Sequence, residues 1–266
     1  MTIYGLYARE AGGWLSISSL IKLMAVLGVD EQAVRSSISR LKRRGILLAE
    51  KVGGAAGYSL SDHARGILRE GDRRIFERPR AGTDDGWIMA VFSVPEYERE
   101  KRHQLRSRLS WLGFGTVASG VWIAPDHLEP EARDALESSG LTSYVDLFRA
   151  EHVAFQPERD QVAAWWDLDE LERMYEEFVA AYGPMLTRWR RRRKDDDVAA
   201  FADYVDVLTH WRRLPFLDPG LAPELLPRDW RGSQAADIFF ELNECLAAGA
   251  HRHVETVVGL HAGKTA

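Results

Sequence analysis

The run from Ser16 to Leu60, SISSLIKLMAVLGVDEQAVRSSISRLKRRGILLAEKVGGAAGYSL, leaves few folds open to the N-terminal third of the chain. Ile17, Leu20, Leu23 and Met24 recur at helical spacing, and Gly28 ends that pattern. Asp30 is a natural N-cap for a second helix, on which Val34, Ile38 and Leu41 follow the i, i+4, i+7 rhythm of a buried face. At about 100° per residue the opposite side collects Gln32, Ser36, Ser39 and Arg43, flanked by Arg35 and Arg40. The segments GILLAEK and AGYSLS then predict two short strands around the glycine turn at Val52 to Ala56, with Lys51 beside the turn. Helix, glycine turn, helix and hairpin is the order of a winged helix-turn-helix.

The polar side of the second helix has the chemistry of a surface that meets phosphate and base edges. Arg, Gln and Ser are the residue types that reach those atoms, and Glu31 in the first turn is the one carboxylate near them. Gly53 and Gly54 belong to a hairpin and not to a phosphate-cradling loop, because no strand-then-helix context surrounds them. The charge distribution points the same way. The whole chain carries a net charge of -5, yet residues 1 to 80 hold 14 Lys/Arg against 8 Asp/Glu, so attraction to a polyanion is concentrated there. Expected DNA-binding residues are Gln32, Arg35, Ser36, Ser39, Arg40, Arg43 and Lys51.

Beyond this region 266 residues leave room for further domains. RPRAGTDDG, residues 78 to 86, has the composition of a linker. After it, WIMAVFSV (87 to 94) predicts a buried strand. A helix follows with Leu105, Leu109 and Leu112 on one side, then two strand pieces hinged at Ser119-Gly120, a helix at about 130 to 139 and the strand SYVDLFRA. That βαββαβ order is the ferredoxin-like pattern. From about residue 158 the periodicity is helical, interrupted by the proline-rich stretch 214 to 230. The expected class is α+β, with a winged helix-turn-helix domain (1 to 78), a linker (79 to 86), a ferredoxin-like middle domain (87 to 155) and an all-helical domain for dimerisation and effector binding (156 to 266).

No stretch of about 18 apolar residues exists, and the first residues lack the pattern of a signal peptide, so neither membrane insertion nor secretion is expected. One cysteine, Cys245, cannot form an internal disulfide and reads as a core residue in a reducing, cytoplasmic setting.

The blocks AVRSSISRLKRRGIL and GYSLS, with Gly66, resemble the winged-helix segment of the PaaX family of bacterial transcriptional repressors. HWRRLPFLDPGLAPELLPRDWRG, His210 to Gly232, is similar to the C-terminal signature of the same family. The resemblance covers nearly the whole chain. It implies a homodimeric repressor that binds double-stranded operator DNA and is released by a small effector, an acyl- or aryl-CoA thioester, with no resident cofactor. One departure stands at the N-terminus: the family usually carries a longer first helix before its Gly-x-Tyr element, here Gly5-Leu6-Tyr7, so a short helix or an upstream start is expected. For the effector, His210, Trp211, Arg212 and Arg213 are the candidates, since Arg offers forked donors for phosphate and Trp a flat ring.

An enzyme is the rival reading. The middle segment also resembles the small ferredoxin-like, metal-dependent nucleases of CRISPR systems, whose first strand ends in an aspartate. Ser93 stands at that place here, and a neutral hydroxyl is a poor ligand for a hard cation, even with Glu96 nearby. His251, His253 and Glu255 alternate at i, i+2, i+4, which points them to different helix faces. WRRRRK (189 to 194) is followed at once by DDD and reads as a self-compensating helix end. No catalytic or metal site is expected. An architectural DNA-binding protein without effector is a further alternative.

Overall fold

A computed structural model describes residues 1 to 9, 12 to 82, 85 to 153, 155 to 192 and 194 to 259. They form two compact units that do not follow the order of the chain. The first contains residues 1 to 72, 180 to 211 and 236 onward, and the second 73 to 179 and 212 to 235.

In the first unit a π-helical turn, Tyr4–Ala8, precedes β1 (Trp14–Ser16), α1 (Ile17–Val26), α2 (Glu31–Arg43), β2 (Leu47–Val52), β3 (Ala55–Leu60) and α3 (Asp62–Asp72). Caps fix the helix starts: Ser16 Oγ accepts the Ser19 N–H at 2.9 Å, and Asp30 Oδ1 accepts that of Ala33 at 2.8 Å. Gly28, at φ 73°, closes the turn between α1 and α2. The strands pair antiparallel in the order β1-β3-β2. Gly53 and Gly54 form a two-residue connection with both φ positive, 57° and 80°, the geometry of the hairpin turn whose twist matches its strands. Ser61 ties the sheet to α3, donating to Gly45 O at 2.6 Å and accepting the Ala64 N–H at 3.1 Å.

The same unit contains the C-terminal part of α7 (Leu168–Arg190), α8 (Asp197–Trp211) and most of α10 (Gly232–Gly259). Phe201, Val207, Trp211, Phe239, Leu242 and Leu246 are fully buried. Cys245 is exposed, against the expectation of a core residue. Leu242 and Leu246 take the inward positions of α10, and the thiol sits between their row and the acidic pair Glu241 and Glu244; partial burial, and after it the two carboxylates, push its pKa up.

In the second unit, β4 (Trp87–Phe92), α4 (Arg99–Trp111), β5 (Gly115–Ala118), β6 (Val121–Pro125), α5 (Glu129–Ser138) and β7 (Val145–Ala150) build a four-stranded sheet in the order β5-β6-β4-β7, with every neighbour antiparallel. Ile88, Ala90, Trp122 and Ala124 face α4 and α5, where Leu109, Leu112, Ala132 and Ala135 cover them. Trp87 and Ile123 face the other way, onto α6 (Glu158–Trp165), the start of α7 and the 214 to 230 stretch through Val162, Leu168, Leu221 and Leu226. Burial on both sides explains why β4 reads as an unbroken apolar run instead of alternating. A four-residue helix, α9 (Leu214–Leu217), opens the proline-rich stretch.

Candidate nucleic-acid interface

The sequence of α2 divides its surface cleanly. Val34 and Ile38 are buried, and Leu41 is half-buried. Gln32, Arg35, Ser36, Ser39, Arg40 and Arg43 are all exposed, as is Lys51 on β2, one residue before the strand's end. Six of the seven expected residues therefore share the outer side of one 13-residue helix, and the seventh lies beside the hairpin turn. At about 1.5 Å per residue that helix is roughly 20 Å long.

The positive residues on α2 are not equivalent. Arg35 is already neutralised in part, because its Nε donates to Glu31 Oε1 at 2.8 Å and its Nη2 lies 2.6 Å from the same oxygen. Arg40 instead donates to the neutral Ser37 Oγ at 3.1 Å. Arg40, Lys42 and Arg43 fill the last helical turn, where the C-terminal end of the helix dipole favours cations. That effect stabilises the helix and also gathers charge at the end nearest the hairpin. β1, at three residues too short to show alternation, was not legible in the sequence; it completes the sheet behind the hairpin by pairing Leu15 with Tyr58.

The residues expected to hold an effector are of a different character. Trp211 presents no free ring. It is fully buried, with its face stacked on Phe239 at 4.6 Å and 12° and its edge toward Phe240, so it cannot serve as the wall of an open pocket. The His210 ring is exposed, and its Nδ1 lies 2.7 Å from Tyr182 Oη and 3.0 Å from Asp206 O. Arg212 and Arg213 are exposed and belong to the second unit.

A cluster within the second unit went unseen in the sequence. Asp218, in the LPFLDPG part of the C-terminal signature, is buried and accepts four hydrogen bonds. They come from Arg78 Nη2 (3.0 Å), Arg80 Nη2 (3.0 Å), Tyr175 Oη (2.7 Å) and the Gly220 N–H (2.8 Å). Burial pushes its pKa up, but Arg80, Arg78 and the two further donors outweigh this and hold the carboxyl below its ordinary range. Burial, aided by Asp218, raises the Tyr175 pKa, so its hydroxyl remains a donor. Arg78 also donates to Gly232 O at 3.3 Å, and the Ala81 N–H donates to Gly220 O at 2.8 Å. The described part of the expected linker is thus clasped instead of loose; residues 83 and 84 lie outside the described residues. Nearby, Arg74 is buried against Glu131 at 2.6 Å and Leu112 O at 3.0 Å.

The sequence's enzyme candidates are held in ordinary contacts. Ser93 follows β4 with its N–H directed to Tyr144 O at 3.3 Å, and the exposed Glu96 carboxylate pairs with Arg102 at 3.0 Å. His251 packs edge-on against Tyr7 while His253 leans on Phe201. Arg190 pairs with Glu241, and Arg192 with Asp196 while also lying over the Trp189 ring; Arg193 lies outside the described residues. Among the described residues no group of three His, Cys, Asp or Glu is placed to hold a metal ion, and no helix is long and apolar enough to cross a membrane.

Three family models together span most of the chain: the PaaX-like protein model over residues 1 to 64, the PaaX protein central Cas2-like domain over 80 to 162, and the PaaX-like protein C-terminal domain over 166 to 256. The chain belongs to the PaaX family. The transcriptional repressor PaaX of Escherichia coli (strain K12) is 26% identical over 266 residues, 97% of this chain and 84% of the repressor. Rv0674, an uncharacterised protein from Mycobacterium tuberculosis, has a fold similar to that of this PaaX-family chain, with a TM-score of 0.59 over 94% of this chain and 99% of Rv0674 at 24% identity. That likeness speaks for the fold alone.

Proposed function

We propose that this PaaX-family chain is a transcriptional repressor, not an enzyme, and that it reads duplex DNA with the outer face of α2 and the β2–β3 hairpin. In this reading residues 1 to 78 are a winged helix-turn-helix domain, 79 to 86 a connecting segment, 87 to 155 a ferredoxin-like domain, and 156 to 266 a helical domain. The observation that carries it is the exposed set Gln32, Ser36, Ser39, Arg40 and Arg43 on one helix side, followed by a glycine hairpin bearing Lys51. The strand order β5-β6-β4-β7 supports the ferredoxin-like assignment. Membership of the PaaX family supports the repressor role.

The reading extends to a cytoplasmic homodimer on a partly palindromic operator, with half-sites about 34 Å or a multiple of it apart, controlling a catabolic operon. It includes release from DNA by an acyl- or aryl-CoA thioester bound through His210, Arg212 and Arg213; Trp211 drops out because its ring is buried. A mobility-shift and footprinting experiment on the promoter DNA next to the gene tests the core claim. Sequence-specific protection that weakens in Arg40→Ala and Arg43→Ala is expected. Protection unchanged in both variants overturns the assignment of α2. Titrating the complex with CoA thioesters, in wild type and in Arg212→Ala and Arg213→Ala, tests the effector claim separately.

A further inference from the structure

We infer that the inner side of α2 borders a binding cleft for a small, uncharged molecule with an aromatic or cyclic body and one polar group. The cleft lies within the first unit and has a volume of about 280 Å³. Met24 and Leu27 of α1 and its following turn, Val34, Ile38 and Leu41 of α2, and Val205 of α8 form its apolar walls. Thr2, Ser37 and Thr209 bring aliphatic hydroxyls, with Thr2 Oγ1 and Thr209 Oγ1 3.2 Å apart, while the Tyr4 hydroxyl, also of a lining residue, already donates to Tyr58 O at 3.1 Å. Among the described residues no Lys, Arg, His, Asp or Glu side chain lines it, and Met1 is part of its lining.

Three observations fix the class of occupant. First, Leu41 occupies an inward position of α2 yet is only half-buried, as are Met24, Leu27 and Val29. The helix expected to press its apolar side into a closed core instead borders an opening. Second, a dry apolar cavity of about 150 Å³ accepts benzene, so roughly twice that volume takes a ring with a short substituent and is too small for a helix of a partner protein, about 10 Å across. Third, a carboxylate or ammonium would find no charged side chain to pair with here, whereas a hydroxyl or amide finds the Thr2, Ser37 and Thr209 side chains. The anionic part of a CoA thioester does not suit this cleft, which makes it distinct from a site built on Arg212 and Arg213. Since Val34, Ile38 and Leu41 belong to the helix assigned to DNA, occupancy braces or shifts that helix from behind. This consequence rests on the proposed function; the binding itself does not.

The test uses the full chain with ¹³C-methyl-labelled methionine and two probes of matched shape, 3-phenylpropan-1-ol and 3-phenylpropanoate. The alcohol should move the Met24 methyl resonance saturably and leave Met89 and Met174, which belong to the second unit, in place. The carboxylate should not. Thr209→Trp, with Leu27→Trp as a second variant should the first unfold, fills the cleft and should abolish the Met24 response. Operator affinity measured with and without the alcohol reports the coupling to α2, so a lost coupling with retained binding would reject only the DNA reading. Absence of a saturable Met24 shift up to the solubility limit, an equal response in the filled variants, or equal binding of the carboxylate overturns the site. A Met24 shift that follows protein concentration without any probe would assign the cleft to a second copy of this chain and overturn it as well.

Discussion

Changing Asp218 to Asn removes the negative charge that Arg78 and Arg80 share, with little change in shape. The Asp218 and Arg78 side chains are 3% and 10% exposed, while Arg80 is 24% exposed. Breaking a buried ion pair by neutralising one partner costs about 3 to 5 kcal/mol, because the remaining charge is left uncompensated. Arg80 can regain water and Arg78 cannot, and the Asn Oδ1 still accepts one bond, so the low end applies, about 3 kcal/mol. At roughly 2 to 4 °C per kcal/mol for a chain near this size, Tm should fall by about 6 to 12 °C. The pH dependence has a definite sign. The Asp218 carboxyl titrates below its ordinary value in the folded protein, so its contribution is fully present above about pH 4 to 5, near the unfolded value, and is lost as pH falls through the folded value. The gap between wild type and Asp218→Asn should therefore stay constant from pH 7 to about pH 5 and close only at lower pH. Thermal unfolding followed by near-ultraviolet circular dichroism is the assay, since Trp87, Trp165, Trp166 and Trp230 all belong to the unit concerned. A Tm change below about 2 °C at pH 7, or a gap that closes well above pH 5, would show that Asp218 is not the charge that compensates Arg78 and Arg80.

On DNA, Arg40→Ala and Arg43→Ala should each lower the slope of log affinity against log salt by about 0.9 if the residue meets a phosphate, while Arg35→Ala should lose less because Glu31 already holds that guanidinium. By the same logic Glu31→Gln should tighten binding, and a weaker complex would show that Glu31 is needed where it is. Gly54→Val places a β-branched side chain at φ 80° and should cost at least about 1 to 2 kcal/mol locally, seen as reduced operator affinity with a nearly unchanged Tm for the second unit. Magnesium or manganese should produce no cleavage of DNA or RNA, and metal-dependent cutting that disappears in Glu96→Gln would reinstate the nuclease reading. The exposed Cys245 should react with a thiol reagent in the folded protein, slowly at neutral pH and faster as pH rises, because its pKa is raised; complete protection would contradict its placement on α10.

What the sequence showed follows from how local the causes are. Asp30, Gly28 and the Val34–Ile38 spacing act within a few residues, so α1, α2 and the hairpin were legible to within a residue or two. The strand and helix order after residue 87 was legible for the same reason, since Leu105, Leu109 and Leu112 mark the covered side of α4 and its end. Long-range pairing was not. Nothing in RPR at 78 to 80 announces a carboxylate about 140 positions later, and the composition that suggests a flexible linker is also that of a strap with two forked donors. Trp211 and Cys245 failed in opposite directions. A Trp beside two arginines looks like a ligand surface until Phe239 is seen stacked on it, and an isolated Cys looks like core until the positions of Leu242 and Leu246 fix the helix rotation.

Arg78 is the strained point of that strap. It is the non-glycine residue with positive φ among those described, at 46°. Holding an L-residue there costs about 1 to 2 kcal/mol, and such a conformation persists only where the surroundings over-determine it. Here they do: the same guanidinium reaches Asp218, the Tyr175 hydroxyl and Gly232 O, and lies over the Tyr175 ring. Gly220 faces the strap from the other side at φ 68°, and a Cβ there would come within 2.7 Å of Pro79 O. Leaving Arg78 buried without Asp218 would cost about 3 kcal/mol, more than the strain, so the strained backbone that keeps the two together is retained. Glycine at 220 and arginine at 78 are thus parts of one requirement, that residues 78 to 81 run close along 218 to 221. A segment built with opposing strain and contact is made to hold one path, and its proline, glycine and arginine content reflects that constraint and not slack.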